Sequence, residues 1–131
     1  MTVDIIYDFF KDDKDLLKYF DPNSNAKNNF EASIEIYNTL VNDFSCKWDC
    51  FFEKNEMGYV FHKKGQLLSF CIKPEFRNKE NLNIFSNFIR AELGDSFICY
   101  LYSINTRAIG FLEKMGMKKI ESNNLITLLS I

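Results

Sequence analysis

The chain has 131 residues, of which 47% are apolar and 16% aromatic, and its formal net charge is −2. This length and composition fit one globular domain spanning residues 1–131 and exclude a disordered tail or a flexible linker. The small net charge provides no broad basic field, so nucleic acid is not an expected partner.

The chain opens with a segment that favours a β-strand. Val3 to Phe10 is rich in β-branched and aromatic residues, which pack well on a pleated surface. A short helix is predicted next, because acidic side chains suit a helix N-terminus and apolar residues follow them. The acidic residues are Asp12, Asp13 and Asp15, and the apolar ones are Leu16, Leu17 and Phe20.

A second helix is predicted beyond the polar turn at Pro22. Apolar residues recur there at spacings of three and four, which gives one helix face an apolar stripe. Packing against the core is the simplest explanation of such a stripe. Its members are Phe30, Ile34, Tyr37, Val41 and Phe44.

Three strand-like runs follow, at 48–52, 58–62 and 67–72, and short polar turns join them. Connections this short force antiparallel neighbours, whereas the next strand, 97–102, is reached through a helical crossover and is therefore parallel. The expected fold class is α/β (α+β): a mixed sheet with antiparallel N-terminal strands, parallel central strands and about four helices.

Two helices are predicted on either side of the strand at 97–102. The first follows Asn78, a good N-cap, and ends at Gly94, with an apolar stripe at Leu82, Phe85, Ile89 and Leu93. The second follows Asn105 and ends at Gly116. Its predicted buried stripe is Ala108, Phe111 and Met115, and its predicted solvent face is Arg107, Glu113 and Lys114.

The cysteines show no metal-binding spacing. Cys46, Cys50, Cys71 and Cys99 lie in apolar runs without the paired C-x-x-C spacing of zinc sites, so buried reduced thiols are expected and a metal is not. The sequence shows neither a signal peptide nor a membrane-spanning run. We therefore expect a cytoplasmic protein without a membrane partner.

Two motifs in the C-terminal half each follow an apolar strand. They are Pro74-x-x-Arg77 after one strand and Asn105-x-x-Ala108-x-x-Phe111-x-Glu113-Lys114-x-Gly116 after the next. Together they resemble the acyl-coenzyme A half of the GNAT (N-acetyltransferase) superfamily. The resemblance implies a GNAT-like fold and an N-acetyltransferase that moves an acetyl group from acetyl-CoA to an amine by direct attack. The acceptor would be a small-molecule or protein amine.

The resemblance also implies where acetyl-CoA would bind. The loop before the helix at Asn78 would hold the pyrophosphate, and the strand at 67–72 would pair with the pantetheine arm. The implied residues are Arg77, Asn78 and Lys79 for the pyrophosphate, and Phe70, Cys71, Ile72 and Asn105 for the arm. Each of these positions also has a simpler explanation, such as a surface cation, a strand residue or an N-cap.

Candidate catalytic residues are few. His62 is the one histidine in the sequence, which makes it the default base for the proton of the amine. Tyr102, on the strand before Asn105, is a candidate donor to the departing thiolate. The alternative for His62 is a solvated strand end, and for Tyr102 it is packing.

The sequence departs from the family pattern at three positions. Glu80 and Leu82 stand where the pyrophosphate loop carries Gly and a small residue, and Leu112 stands where many members have a proton-donating Tyr. A side chain in place of Gly obstructs the approach of phosphate to the backbone. At an effective dielectric constant near 20, the Glu80 charge would repel a pyrophosphate by about 3 kcal/mol, an upper value.

These departures favour a second hypothesis, a catalytically inactive GNAT-fold binding or structural protein. Small GNAT-like proteins of bacteriophages, including internal virion proteins of short-tailed phages, resemble the chain in size and in Asn105-Thr106, Phe111-Leu112 and Gly116. On that hypothesis the partner is a protein, for example in virion assembly. An unrelated α+β domain that matches the motifs by chance is a third possibility.

Overall fold

The computed structural model of the protein describes residues 2–43, 50–52, 57–63 and 65–131. Its α-helices are α1 (Val3–Phe10), α2 (Leu16–Tyr19), α3 (Asn29–Asn38), α4 (Lys79–Leu93) and α5 (Thr106–Lys114). Its strands are β1 (Cys50–Phe52), β2 (Gly58–Lys63), β3 (Gln66–Ile72), β4 (Ile98–Tyr102), β5 (Lys118–Ser122) and β6 (Ile126–Ser130). A π-helical turn, Thr39–Asp43, continues α3, and a 3-10 turn, Pro74–Phe76, precedes α4.

The six strands form one mixed sheet in the order β1-β2-β3-β4-β6-β5. β1, β2 and β3 are antiparallel neighbours, β3 and β4 are parallel, and β6 is antiparallel to both β4 and β5. This arrangement confirms the predicted mixed architecture. Strand β5 was not predicted, because its five residues are all exposed and show no apolar alternation.

The predicted opening strand is wrong, because Val3–Phe10 is helix α1. The buried residues Ile6, Phe9 and Phe10 follow the helical spacing of three and four rather than the alternation of a strand. Thr2 caps the helix, since its side chain accepts a hydrogen bond from the N–H of Ile5. Composition favoured a strand here, but residue spacing and the cap decide the structure.

The next two helices also differ from prediction. α2 is a single turn that starts at Leu16, so the aspartates before it lie in a loop, and Leu17 is exposed. In α3 and the π-helical turn that continues it, the predicted stripe is displaced, since Phe30 and Val41 are exposed and the buried residues are Ala32, Ser33 and Leu40. Small residues face inward because α3 packs closely against α1. Phe44 lies outside the described residues.

Two apolar cores lie on opposite faces of the sheet. One joins the sheet to α4 and α5, and the other joins it to α1, α2 and α3. In α5 the predicted stripe is shifted, because Ile109 and Leu112 enter the core together with Met115, while Ala108 and Phe111 are only half-buried. Arg107, which was expected to face solvent, is half-buried as well.

Several local predictions are confirmed. The side chain of Asn78 accepts from the N–H of Asn81 at 2.9 Å, and that of Asn105 accepts from Ala108 at 3.2 Å, so both residues cap the helices that follow them. Cys71 and Cys99 are free and buried, whereas Cys46 and the side chain of Cys50 lie outside the described part of the chain. Among the described residues, none of the helices is both long and apolar enough to cross a bilayer.

Substitutions at two glycines, Gly58 in β2 and Gly110 in α5, test how closely β2 and β3 approach each other. A Cβ at Gly58 would lie 2.3 Å from the carbonyl oxygen of Cys71, whereas a Cβ at Gly110 in α5 would meet nothing within 4 Å. We expect Gly58→Ala to lower the free energy of unfolding by about 2–3 kcal/mol, since backbone must shift. Gly110→Ala should raise it by up to about 1 kcal/mol through helix propensity.

Urea denaturation of both variants measures these changes. Equal and small effects at the two positions would contradict the close approach of β3 to Gly58.

Candidate functional site

Strands β3 and β4 are paired at one end only. Their register joins Gln66 to Ile98 and Leu67 to Cys99, and no further pair follows among the described residues. On its other side, β3 pairs with β2 through a register shift between Phe61 and His62. The shift leaves Leu68 as one extra residue in β3, a β-bulge, and bulges bend the strand that contains them. Beyond this point β3 and β4 diverge and a cleft opens between them.

The bulge also decides which peptide groups face the cleft. The N–H of Lys73 donates to the carbonyl of Met57 at 2.7 Å, so Lys73 and Met57 are a hydrogen-bonded pair. In an antiparallel ladder, hydrogen-bonded and non-hydrogen-bonded residue pairs alternate from there. By this alternation, Cys71 is hydrogen-bonded to β2, whereas the N–H and C=O groups of Phe70 and Ile72 point away from β2 toward the cleft. A donor already reaches one of them, because Nε of Arg77 lies 2.8 Å from the carbonyl oxygen of Ile72.

The cleft has a volume of about 400 Å³ and a mainly apolar lining. Its walls come from the sheet, from α4 and α5 on one side, and from the α1–α2 segment and α3 on the other. Representative lining residues are Phe70, Leu82, Phe111, Phe10 and Phe20. An apolar cleft with two strand peptide groups exposed at its edge suits an extended ligand that carries amide groups of its own.

A buried carboxylate with two arginines stands at the polar centre of the cleft. Asp13 is 3% exposed and accepts two hydrogen bonds from Arg107, with N–O distances of 3.0 and 2.8 Å. Nη2 of Arg77 lies 3.2 Å from the same carboxylate. We call Asp13, Arg77 and Arg107 the Asp13 cluster. It joins three segments that are far apart in sequence.

The position of the Asp13 cluster is fixed by neighbouring groups. The side-chain amide of Asn29 donates to the carbonyls of Phe10 and Asp13, which holds the loop between α1 and α2. The Arg107 guanidinium lies over the ring of Tyr19, 4.7 Å from its centroid. Burial raises the pKa of the Asp13 carboxyl, but Arg107 and Arg77 outweigh it and hold that pKa below its ordinary value.

Most of the residues predicted for acetyl-CoA are brought together here. Phe70, Cys71, Ile72, Arg77 and Asn105 all line the cleft. Asn78 caps α4, and Lys79 lies in a groove between α4 and α5 that continues from the cleft and also contains Lys114. Binding of the cofactor by any of these residues stays a prediction.

The two candidate catalytic residues are not among the lining residues. Tyr102 is close to the cleft, because its carbonyl accepts from the N–H of Asn105. Burial and the carboxylates of Asp21 and Glu35 raise its pKa. His62 lies at the end of β2 where β3 and β4 are still paired, and its Nε2 is 3.7 Å from a carboxylate oxygen of Glu92. The structure therefore places His62 away from the cleft.

Other potentially reactive groups in the cleft are held neutral. Burial raises the pKa of the Cys71 thiol to about 12. Tyr59 is fully buried, its pKa is raised far above the ordinary range by burial, and its hydroxyl lies 2.9 Å from that of Ser69. Neither group is poised to take or give a proton at neutral pH.

Sequence reasoning missed the Asp13 cluster. Arg107, Phe111 and Lys114 lie four and three residues apart on α5, and all three line the cleft. This spacing was the available signal that one face of α5 is neither core nor free surface. Asp13 offered no such signal, because its partners lie 64 and 94 residues away.

Solved structures of other proteins share this fold. The chain is similar to a GNAT-family acetyltransferase from Bacillus anthracis, with a TM-score of 0.55 and 13% identity over 98% of this chain and 87% of that one. It is similar to spermidine N-acetyltransferase from Vibrio cholerae, solved in complex with CoA and spermine, with a TM-score of 0.52 and 15% identity over 98% of this chain and 88% of that one. It is also similar to a protein from Pyrococcus horikoshii OT3, with a TM-score of 0.53 and 14% identity over 98% of this chain and 88% of that one.

No sequence-family model and no curated protein matches the chain. At identities of 13–15%, the likeness to solved structures shows the fold. The protein therefore has the GNAT fold, as the two motifs predicted.

The charge of Asp13 should make stability depend on pH. Its folded pKa lies below the ordinary value of 3.8, so the carboxylate stabilises the fold above about pH 4, and this contribution is lost as pH falls through the folded pKa. We expect Asp13→Asn to lower the free energy of unfolding by about 1.5–3 kcal/mol at pH 7. The difference from the native chain should shrink below pH 4.

Denaturation at pH 7 and at pH 3 to 4 measures this effect. Asp12→Asn, at the exposed neighbouring position, is the matched control and should change stability by less than about 0.5 kcal/mol. A loss at Asp13 that is the same at all pH values would contradict the role of its charge.

Proposed function

We propose that the protein is an N-acetyltransferase that binds acetyl-CoA in the cleft and transfers the acetyl group to an amine. One observation carries the proposal: the bulge at Leu68 separates β3 from β4 and turns the peptide groups of Phe70 and Ile72 toward an apolar cleft. The pantetheine arm contains two amides in an extended chain. It can therefore pair with β3 as an added strand would.

The residues around the cleft fit the parts of acetyl-CoA. Asn105 uses its side-chain oxygen to cap α5, which leaves its amide N–H groups to donate to the arm. Lys79 and Lys114, in the groove between α4 and α5, would hold phosphates together with Arg77. Glu80 in the first turn of α4 opposes the phosphates and weakens binding.

The proposed transfer needs little from the protein beyond position. The amine nitrogen attacks the thioester carbon, the carbon–sulfur bond breaks, and the thiolate departs while the amine loses its proton to water. Among the described lining residues, Asp13 is the one carboxylate, and its charge is already taken up by two arginines. Catalysis would therefore come from proximity, and the rate should rise with pH as the amine loses its proton.

A second candidate function is binding of an acyl-CoA or a protein partner without transfer. Leu112 favours it, because this residue is completely buried in the core between the sheet and α5 and does not line the cleft. The position where many GNAT members carry a proton-donating Tyr therefore offers no acid here. General-acid help is typically worth a factor of about 10²–10⁴ in rate.

Gly110 is a position from which an added side chain would enter the cleft. It lines the cleft, and a Cβ there would meet open space. In calorimetric titrations we expect roughly micromolar binding of acetyl-CoA to the native chain. Gly110→Trp should weaken binding by at least about 30-fold, about 2 kcal/mol. Gly110→Ala, the matched control, should stay within about threefold of the native chain.

Absence of acetyl-CoA binding to the native chain would overturn the proposal. Equal binding to the native chain and to Gly110→Trp would move the cofactor out of this cleft.

Thiol release separates the two candidate functions. If the protein is a transferase, CoA should appear in the presence of a primary amine, at a rate that rises with pH. His62→Ala should leave this rate within about threefold, because His62 lies away from the cleft. Tyr102→Phe tests the remaining catalytic candidate, and a loss of about 100-fold is expected if Tyr102 donates the proton. Binding without release would favour the second candidate function.

A further inference from the structure

Arg77 is bound in two directions at once. Its Nε donates to the carbonyl of Ile72 at 2.8 Å, and its Nη2 donates to the carboxylate of Asp13 at 3.2 Å. The first bond covers the cleft-facing carbonyl at the end of β3. An extended ligand that pairs with β3 as far as Ile72 must therefore displace the Arg77 side chain.

The anchor of Arg77 stays in place when the arginine moves. Asp13 is held by two bonds from Arg107, and Asn29 fixes its loop. The carboxylate therefore remains buried and ion-paired with Arg107 alone. Displacement of Arg77 breaks one charge-assisted hydrogen bond to Asp13 and one to the Ile72 carbonyl.

We infer that Arg77 is a specificity-determining residue that makes the cleft select for thioesters carrying a phosphate. This inference rests on the proposed function. A ligand without phosphate breaks both bonds of Arg77 and offers nothing in return. A ligand with a phosphate near the β3–α4 loop gives the displaced guanidinium a new anionic partner. The Asp13 cluster therefore penalises a bare acyl-pantetheine and spares acyl-CoA.

Two probes that share the arm and the thioester test this inference. Acetyl-CoA carries phosphates and acetyl-pantetheine does not. We expect Arg77→Ala to weaken the binding of acetyl-CoA about tenfold, because the phosphate contact is lost. The same variant should strengthen the binding of acetyl-pantetheine about tenfold, because the Ile72 carbonyl is no longer covered. The ratio of the two dissociation constants should then change about 100-fold, twice the 1.4 kcal/mol that corresponds to a factor of ten.

Two further variants control for charge and for folding. Arg90→Ala removes the same side chain from the last turn of α4, outside the residues that line the cleft, and should leave the ratio unchanged. Arg77→Lys keeps the positive charge but cannot hold Asp13 and the Ile72 carbonyl with one planar fork. It should tighten acetyl-pantetheine while acetyl-CoA stays within about threefold.

The failures of the inference and of the proposed function are distinguishable. If the native chain binds acetyl-CoA but Arg77→Ala shifts both ligands in the same direction, the proposed function stands and the selection by Arg77 is wrong. If none of the variants binds either thioester, the proposed function is wrong and the inference falls with it.

Discussion

The site depends on one extra residue in β3. Without Leu68, β3 would stay in register with β2 and continue to pair with β4, and no cleft would form between β3 and β4. The extra residue bends β3 and reverses the alternation of its side chains, so that Leu68 and Ser69 both turn toward the face covered by α1, α2 and α3. The same reversal presents Phe70 and Ile72 to the cleft.

The opening in the sheet is bridged by charge rather than by backbone pairing. The Asp13 cluster connects the loop after α1 with the β3–α4 loop and with α5, which lie on different sides of the cleft. A buried carboxylate would cost stability without partners, and here both of its oxygens are bound by guanidinium groups. The Asp13 cluster thus holds the two sides of the cleft together where β3 and β4 are not paired, and it places charged groups in an otherwise apolar cleft.

Local patterns predicted the parts of the fold that local physics controls. The antiparallel pairing of β1, β2 and β3, the N-caps at Asn78 and Asn105 and the helical crossover to β4 could all be read from the sequence. In α1 the high β-branched and aromatic content outweighed the helical spacing of Ile6, Phe9 and Phe10 and gave a wrong strand. The contact of Asp13 with Arg107 depends on tertiary packing. The spacing of Arg107, Phe111 and Lys114 marks one face of α5, but the sequence around Asp13 carries no sign of its partners.

The strand order has a consequence for synthesis of the chain. β4 forms five register pairs with β6 and only two with β3, so this wall of the cleft rests mainly on residues 126–130. During translation, β1, β2, β3 and α4 can associate early, whereas β4 lacks its principal partner until β6 has left the ribosome. Until then the edge of β4 that pairs with β6 is open to chaperones and to other nascent chains.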